Sequence, residues 1–102
     1  MKVKVSEAEG AVLNKLVNMA DGLHGVLAPV EYSTRWEFGG PLIERECIEV
    51  SCIRTAGWTP NSWDAKHPQR IYAKGPTPLI AAMRCYVASK LGDEVTIPEE
   101  VK

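Results

Sequence analysis

The segment at residues 75–92, GPTPLIAAMRCYVASKLG, constrains the fold of this chain more than any other. Thr77 belongs to the residue types that cap helix N-termini. Pro78 suits the first helical position, because its φ is already helical and a missing N–H costs nothing there. Gly92 is typical of the residue that follows a helix. The segment predicts a helix over 78–91, with an apolar stripe that must be buried: Leu79 or Ile80, Met83, Val87 and Leu91.

A second helix is predicted near the N-terminus. Ser6 suits its N-cap, and Glu9, three residues later, completes a capping box. Asp21 and Gly22 are expected to end it. The apolar residues in this stretch recur at helical spacing, which again predicts one buried face: Ala8, Val12, Leu13, Leu16, Val17 and Met19.

Strands are predicted where apolar and polar residues alternate, at residues 1–5, 42–53, 69–74 and 93–98. Segments 22–41 and 54–68 are rich in Gly and Pro and are predicted as loops, the first with a short strand near 31–37. The resulting order β-α-β-β-α-β has no long crossover. It predicts one α+β domain over residues 1–102, a small antiparallel sheet with two helices packed on one face.

The composition excludes several classes of protein. Of the 102 residues, 45% are hydrophobic and 25% are charged, as in an ordinary globular domain. No apolar run approaches the roughly 18 residues of a membrane span, and the charged N-terminus predicts no signal peptide. The net charge of −1 makes direct nucleic-acid binding unexpected. Residues 54–90 nevertheless carry six basic side chains against one acidic, which favours a local positive field unless the acidic ends pair with it.

The sequence contains no motif for catalysis or metal binding. It lacks nucleophile-elbow, Walker, Rossmann and zinc signatures, and His24 and His67 fall in segments typical of surface histidines. Glu44 and Glu46 would share one strand face, either as a solvated surface or as a carboxylate pair. Three cysteines without Cys-x-x-Cys spacing predict free, buried thiols rather than disulfides: Cys47, Cys52 and Cys85. We therefore expect no enzyme, metal or cofactor.

Two strings in the chain resemble the NinX family of small lambdoid phage and prophage proteins. They are GPLIERE at residues 40–46 and GPTPLIAAMRCYVASKLG at residues 75–92. The strand and helix predicted at the N-terminus also fit, so the resemblance covers nearly the whole chain, with residues 22–39 and 54–70 matching least. The resemblance implies a phage or prophage origin and a place in the host cytoplasm, and it supplies no catalytic residues.

The three tryptophans are the strongest candidates for a binding site. All of them fall in segments predicted as loops, where large rings line ligand sites, fill interfaces or cover the edge of a core. Aromatic faces beside Arg or Lys suit a nucleotide base and its phosphates. The start of the predicted helix at Thr77 adds a possible anion site. The predicted ligand-binding residues are Trp36, Arg45, Trp58, Trp63, Arg70, Thr77 and Arg84.

Three functions remain open at this level. We favour a small non-enzymatic binding protein that captures an anionic, nucleotide-like molecule, for example to sequester a host immune signal. The alternatives are an accessory role in phage DNA recombination or replication, and an adaptor that inhibits a host protein. A chain of this size buries only about 60–65% of its unfolded surface, so we also expect a homo-oligomer, with the alanine-lined face of the last helix as its contact.

Overall fold

The structure is a computed structural model that describes residues 2–21, 30–53 and 62–96. Its elements are β1 (Lys2–Lys4), a 3₁₀ turn (Val5–Glu7), α1 (Gly10–Ala20), α2 (Trp36–Glu46), β2 (Glu49–Ile53), β3 (Ser62–His67), β4 (Ile71–Gly75), α3 (Pro78–Leu91) and β5 (Glu94–Thr96). The strands form two antiparallel sheets, β2-β3-β4 and β1-β5. The α+β class predicted from the sequence is confirmed.

Helix α3 lies at the centre of the domain. It begins as predicted, with the Thr77 hydroxyl accepting a hydrogen bond from the Ile80 N–H at 3.1 Å. Every residue from 79 to 87 is buried, because the three-stranded sheet covers one side of the helix while α1 and α2 pack on others. The predicted apolar stripe is buried at Met83 and Val87, which are both fully inaccessible. A helix buried all round holds the other elements in place.

The three-stranded sheet has one packed face and one solvated face. Its cross-strand pairs Trp63–Gly75, Ala65–Ala73 and His67–Ile71 place alternate residues on the face that packs against α3. The residues between them, including Lys66, Tyr72 and Lys74, are on the opposite face. Gly75 packs tightly at the end of β4, since a Cβ there would lie 2.7 Å from the Ala81 nitrogen.

The second helix of the structure, α2, falls where a loop was predicted. Gly39, Gly40 and Pro41 suggested either a turn or a close backbone approach, and all three lie inside an 11-residue helix. Gly39 is required by packing, because a Cβ at this position would lie 2.5 Å from the Tyr32 carbonyl oxygen and 2.6 Å from a methyl carbon of Leu79. Pro41 removes only one helical hydrogen bond. The close approach, and not the turn, is therefore what the structure shows at Gly39.

Other boundaries also differ from the predictions. Ser6 is not a helix cap, because the Val5 N–H donates to the Asp93 carbonyl at 2.9 Å and the chain makes a 3₁₀ turn before α1 begins. The strand predicted over 42–53 begins only at Glu49, after the end of α2. The loop predicted over 54–68 contains β3. Residues 22–29 and 54–61, with His24 and Trp58, lie outside the described residues.

Candidate functional site

Arg84 is the charged residue inside the buried stretch of α3. Only 8% of the Arg84 residue is exposed to solvent. Its Nε donates to the carbonyl of Ala8, just before α1, and its Nη1 donates to the carbonyl of Lys74 in β4, each at 2.8 Å. These two bonds fix the plane of the guanidinium between the N-terminal segment and the edge of the sheet.

The partners of Arg84 leave its positive charge without a directly bound anion. Within residues 2–21, 30–53 and 62–96, no carboxylate oxygen lies within 4.0 Å of the guanidinium. Burial lowers the pKa of Arg84 from its ordinary value, and the more distant carboxylates of Glu9 and Glu7 act in the opposite direction. Because taking a charge out of water is costly, a buried cation held only by neutral carbonyls favours binding of an anion.

Two surface grooves meet at Arg84. They enclose about 480 and 520 Å³, and both are lined by Ser6, Tyr72, Ala73 and Arg84. The first, here called the β5 groove, is otherwise lined by Lys4, Val5, Ala88, Asp93 and Glu94. The second, here called the β4 groove, is otherwise lined by Asp64, Lys74, Gly75 and Pro76. Volumes in this range are sufficient for a small ligand.

Tyr72, a residue with an exposed aromatic ring, lines both grooves. It is 63% exposed, although a tyrosine of this size is a costly side chain to leave in water. Lys66 lies opposite it on β3, with the ammonium 6.0 Å from the centre of the ring. An exposed ring beside a buried guanidinium combines a stacking surface with an anion-binding group.

A separate polar network joins α1, α2 and α3. Nη2 of Arg45 donates to Oδ1 of Asp21 at 2.8 Å and to the Tyr86 hydroxyl at 2.9 Å, and that hydroxyl donates to the same Asp21 oxygen. The hydrogen bond with Asp21 raises the pKa of Arg45, and burial raises the pKa of Tyr86 to about 12. The network ties the C-terminal ends of α1 and α2 to Tyr86 within α3.

Glu46 extends this network to the sheet through His67. The His67 Nδ1 accepts the Gln69 N–H at 3.2 Å, so the ring proton lies on Nε2, 3.0 Å from Oε1 of Glu46. Arg45 Nε also donates to Glu46, at 3.2 Å. Both nitrogens of the buried His67 ring are thus engaged, which leaves no lone pair for general-base chemistry. The arrangement is that of a structural clamp.

More than half of the chain is similar to a known protein family. A family model described as "Bacteriophage P22, NinX" matches residues 27–90. The chain belongs to the NinX family. The resemblance seen in the sequence is therefore confirmed, and membership places the chain among bacteriophage proteins. No curated protein matches the chain. No helix within the described part of this NinX chain is long and apolar enough to cross a membrane.

Of the predicted binding residues that the structure describes, Arg84 alone lines the two grooves of this NinX chain. Trp36 is 55% exposed at the start of α2. Trp63 is on the packed face of β3 and contacts the core, so it is not in a loop as predicted. Trp58 lies outside the described residues. Neither of the two described tryptophans, Trp36 and Trp63, lines the grooves at Arg84.

The remaining predicted residues have structural contacts. Arg45 belongs to the network with Asp21 and Tyr86. Arg70 lies in the turn between β3 and β4, where it adopts a left-handed φ of 66°. Thr77 caps α3, while its neighbour Pro76 lines the β4 groove. Arg45 and Thr77 thus contribute to the fold through side-chain hydrogen bonds, while Arg70 is exposed in its turn, and none of the three lines either groove.

Sequence reasoning missed Tyr72 and Lys74 as candidates. Both lie on β4, where Ile71 and Ala73 are directed to the core and the residues between them are exposed. The alternation was visible in the sequence, and an aromatic residue at an outward position of such a strand was the signal that could have identified Tyr72.

The cysteines and acidic residues do not form a metal site in the described part of the chain, where no group of three or more potential ligands comes together. Cys85 is fully buried, and burial raises its pKa to about 11, so this thiol is unreactive in the folded protein. Cys47 is exposed, so the prediction of buried thiols is wrong at this position. Its place immediately after α2, rather than inside a strand, explains the difference.

Proposed function

We propose that this NinX-family chain is a non-catalytic binding protein that captures a small, anionic, nucleotide-like molecule where the two grooves meet. Such a protein would act in the host cytoplasm by withholding the molecule from host proteins, for example an immune signal. The observation that carries the proposal is the buried guanidinium of Arg84, which has two carbonyl partners and lies at the junction of both grooves.

The neighbouring side chains support a ligand that has both a ring and a negative charge. Lys74 and Arg84 provide two cations in the β4 groove, against the single carboxylate of Asp64. The exposed Tyr72 ring lies beside them and could stack on a base. Stacking of this kind contributes about 1–3 kcal/mol per base, and a charge-assisted hydrogen bond to phosphate contributes about 1.5–3 kcal/mol.

Calorimetric titration with AMP and GMP tests the proposal, with adenosine as the uncharged comparison. We expect the nucleotides to bind and adenosine to bind at least about tenfold more weakly, because it lacks the group that Arg84 and Lys74 would hold. Tyr72→Ala should weaken AMP binding about five- to a hundredfold, as loss of one stacked base predicts. Lys74→Gln should weaken it by a smaller factor. Both positions are exposed, so both variants should fold.

Trp36→Ala is the matched control, because Trp36 is a similarly exposed aromatic residue that lines neither groove. It should bind AMP like the parent chain. If no nucleotide binds, or if Trp36→Ala abolishes binding while Tyr72→Ala leaves it intact, the groove is not the site. Chromatography after incubation should recover AMP unchanged, and turnover of the nucleotide would contradict the non-catalytic part of the proposal.

A protein-binding role has one observation in its favour. Trp36 and Phe38 are both exposed at the start of α2, at 55% and 38%, and Arg35 lies 5.7 Å from the centre of the Phe38 ring. Exposed aromatic and arginine side chains of this kind are typical of protein interfaces. If Trp36→Ala removes binding to a host protein and Tyr72→Ala does not, the adaptor function is the better one.

Self-association remains a prediction and requires a different surface from the one expected. Ala81, Ala82 and Cys85 are fully buried within a single chain, so the alanine-lined face of α3 is already used by the fold. Sedimentation at micromolar concentration tests the oligomer directly. A mass near 11.2 kDa would show that the chain is a monomer.

A further inference from the structure

The two grooves differ in the net charge of their lining away from Arg84, which is zero in the β4 groove, from Lys74 and Asp64, and −1 in the β5 groove, from Lys4, Asp93 and Glu94. This inference rests on the proposed function and concerns the kind of nucleotide that the site accepts. The outer part of the β4 groove has Lys74 and Asp64, which lie opposite each other on paired strands. The outer part of the β5 groove has two carboxylates, Asp93 and Glu94, and one ammonium group, from Lys4.

The acidic end of the β5 groove is held in place by the backbone. The Val5 N–H donates to the carbonyl of Asp93 at 2.9 Å, and Lys4 pairs with Glu94 in the β1-β5 sheet. Glu94 thus has a lysine opposite it in the sheet, whereas Asp93 makes no salt bridge with any residue that the structure describes. Asp93 and Glu94 are both exposed, so each remains in water until a ligand covers it.

We propose that the site selects nucleotides that carry their negative charge at one end only. The phosphate lies in the β4 groove, on Arg84 and Lys74, and the base lies against Tyr72. The rest of the ligand extends toward Asp93 and Glu94, where carboxylates accept hydrogen bonds from ribose hydroxyl or amino groups. The structure thereby favours a nucleoside monophosphate over a nucleotide with phosphates at both ends.

Repulsion between like charges explains why the site excludes nucleotides with phosphates at both ends. A molecule that spans both grooves and places a second phosphate in the β5 groove would bring it against two carboxylates while displacing their water. Placing like charges next to each other strongly weakens binding of the wrong ligand, even where no atoms clash. Salt screens interactions of this kind when they lie near the surface.

The test compares AMP with cyclic di-AMP, which contains two adenosines and has its two phosphodiester groups on opposite sides of a ring. We expect the parent chain to bind AMP at least about tenfold more tightly at low salt. The double variant Asp93→Asn, Glu94→Gln keeps the shapes of the side chains and removes their charge. In this variant the ratio of the two dissociation constants should fall about tenfold, because cyclic di-AMP binds more tightly. Glu44 is an exposed residue of α2 that lines neither groove, so Glu44→Gln should leave the ratio of the two dissociation constants unchanged.

A second readout does not depend on the variants. For the parent chain, raising the salt concentration should bring the two affinities closer together, because the repulsion that excludes cyclic di-AMP is screened. If cyclic di-AMP binds as tightly as AMP, or if the double variant leaves the ratio unchanged, the selectivity proposal is wrong. AMP binding that still depends on Tyr72 would then leave the proposed function standing. If neither nucleotide binds, the proposed function itself fails.

Discussion

Glu46 should contribute a measurable part of the stability of this fold, and Glu46→Gln is the substitution that isolates its charge. The carboxylate accepts hydrogen bonds from His67 at 3.0 Å and from Arg45 at 3.2 Å, and Lys90 lies 3.7 Å away. Its side chain is only 13% exposed. The contacts connect α2 with β3 and α3, so their loss should loosen three elements at once.

The magnitude follows from these contacts. A hydrogen bond to a charged group contributes a net of about 1.5–3 kcal/mol. Glutamine keeps one acceptor oxygen at the same place, so the variant loses the charge but not every bond. We expect the free energy of unfolding to fall by about 1–3 kcal/mol at neutral pH. For a domain of this size, each 1 kcal/mol lowers the thermal midpoint by about 4–8 °C.

The effect should depend on pH in a defined direction. The hydrogen bond from His67 is the largest cause that lowers the pKa of Glu46, and Arg45 and Lys90 add to it against the opposing effect of burial. A carboxyl group whose pKa is lower in the folded state stabilises the protein above its unfolded pKa, about 4.3. That stabilisation is lost as the pH falls through the folded value. Parent and variant should therefore differ fully at pH 6 to 7 and converge in strong acid.

Urea unfolding followed by circular dichroism at several pH values provides the measurement. Glu44→Gln is the control, since Glu44 is exposed two residues earlier in the same helix, and its effect should stay within about 0.5 kcal/mol. The reasoning is refuted if Glu46→Gln and Glu44→Gln have the same midpoint at pH 7. It is also refuted if the deficit of Glu46→Gln persists undiminished in acid.

Three further predictions concern the core, the helix cap and the thiols. Met83→Ala should lower the free energy of unfolding by about 2–5 kcal/mol, because Met83 is fully buried. Val12→Ala is the control, because Val12 is 37% exposed. Equal losses of stability in the two variants would contradict the assignment of the core. Thr77→Ala should cost about 1 kcal/mol and Thr77→Ser much less, since serine can still accept the Ile80 N–H; identical denaturation curves for the two would show that the cap contributes nothing. An aromatic disulfide reagent should modify Cys47 in the folded chain and Cys85 only after unfolding, and rapid modification of Cys85 in buffer would show that α3 is not enclosed.

The parts of the fold that the sequence predicted well depend on local signals. The start of α3 follows from Thr77 and Pro78, and its end follows from Gly92, because capping is decided within a few residues. Strand β4 followed from the alternation around Tyr72. Helix α2 could not be predicted in this way, because Gly39 is required by its contact with Leu79, which is distant in the sequence, as well as by the nearby Tyr32 carbonyl.

The candidate site was predicted less well than the fold. Trp63 was assigned to a loop because Gly, Pro and Asn precede it. Trp63, Ala65 and His67 are nevertheless alternate residues of strand β3, which ends just before Pro68. Arg84 was identified from its charge and from its place in the basic stretch. The grooves around it arise where β1, β4 and α3 meet. Such a junction depends on how the sheets are arranged about α3, and no single segment encodes it.

The charge of Arg84 is the feature that the fold alone does not explain. The carbonyls of Ala8 and Lys74 need hydrogen-bond donors, but a neutral donor would satisfy a carbonyl without the cost of desolvating a full positive charge. Replacing buried charges by apolar side chains is often neutral or stabilising in other proteins, so a structural role alone would not favour arginine in a stretch that is otherwise uncharged from Leu79 to Val87. In the proposed function, this guanidinium, whose plane is fixed by two carbonyls and which lines both grooves together with Tyr72, receives the anionic part of the ligand. The cost of burying the charge would then be offset when the ligand binds.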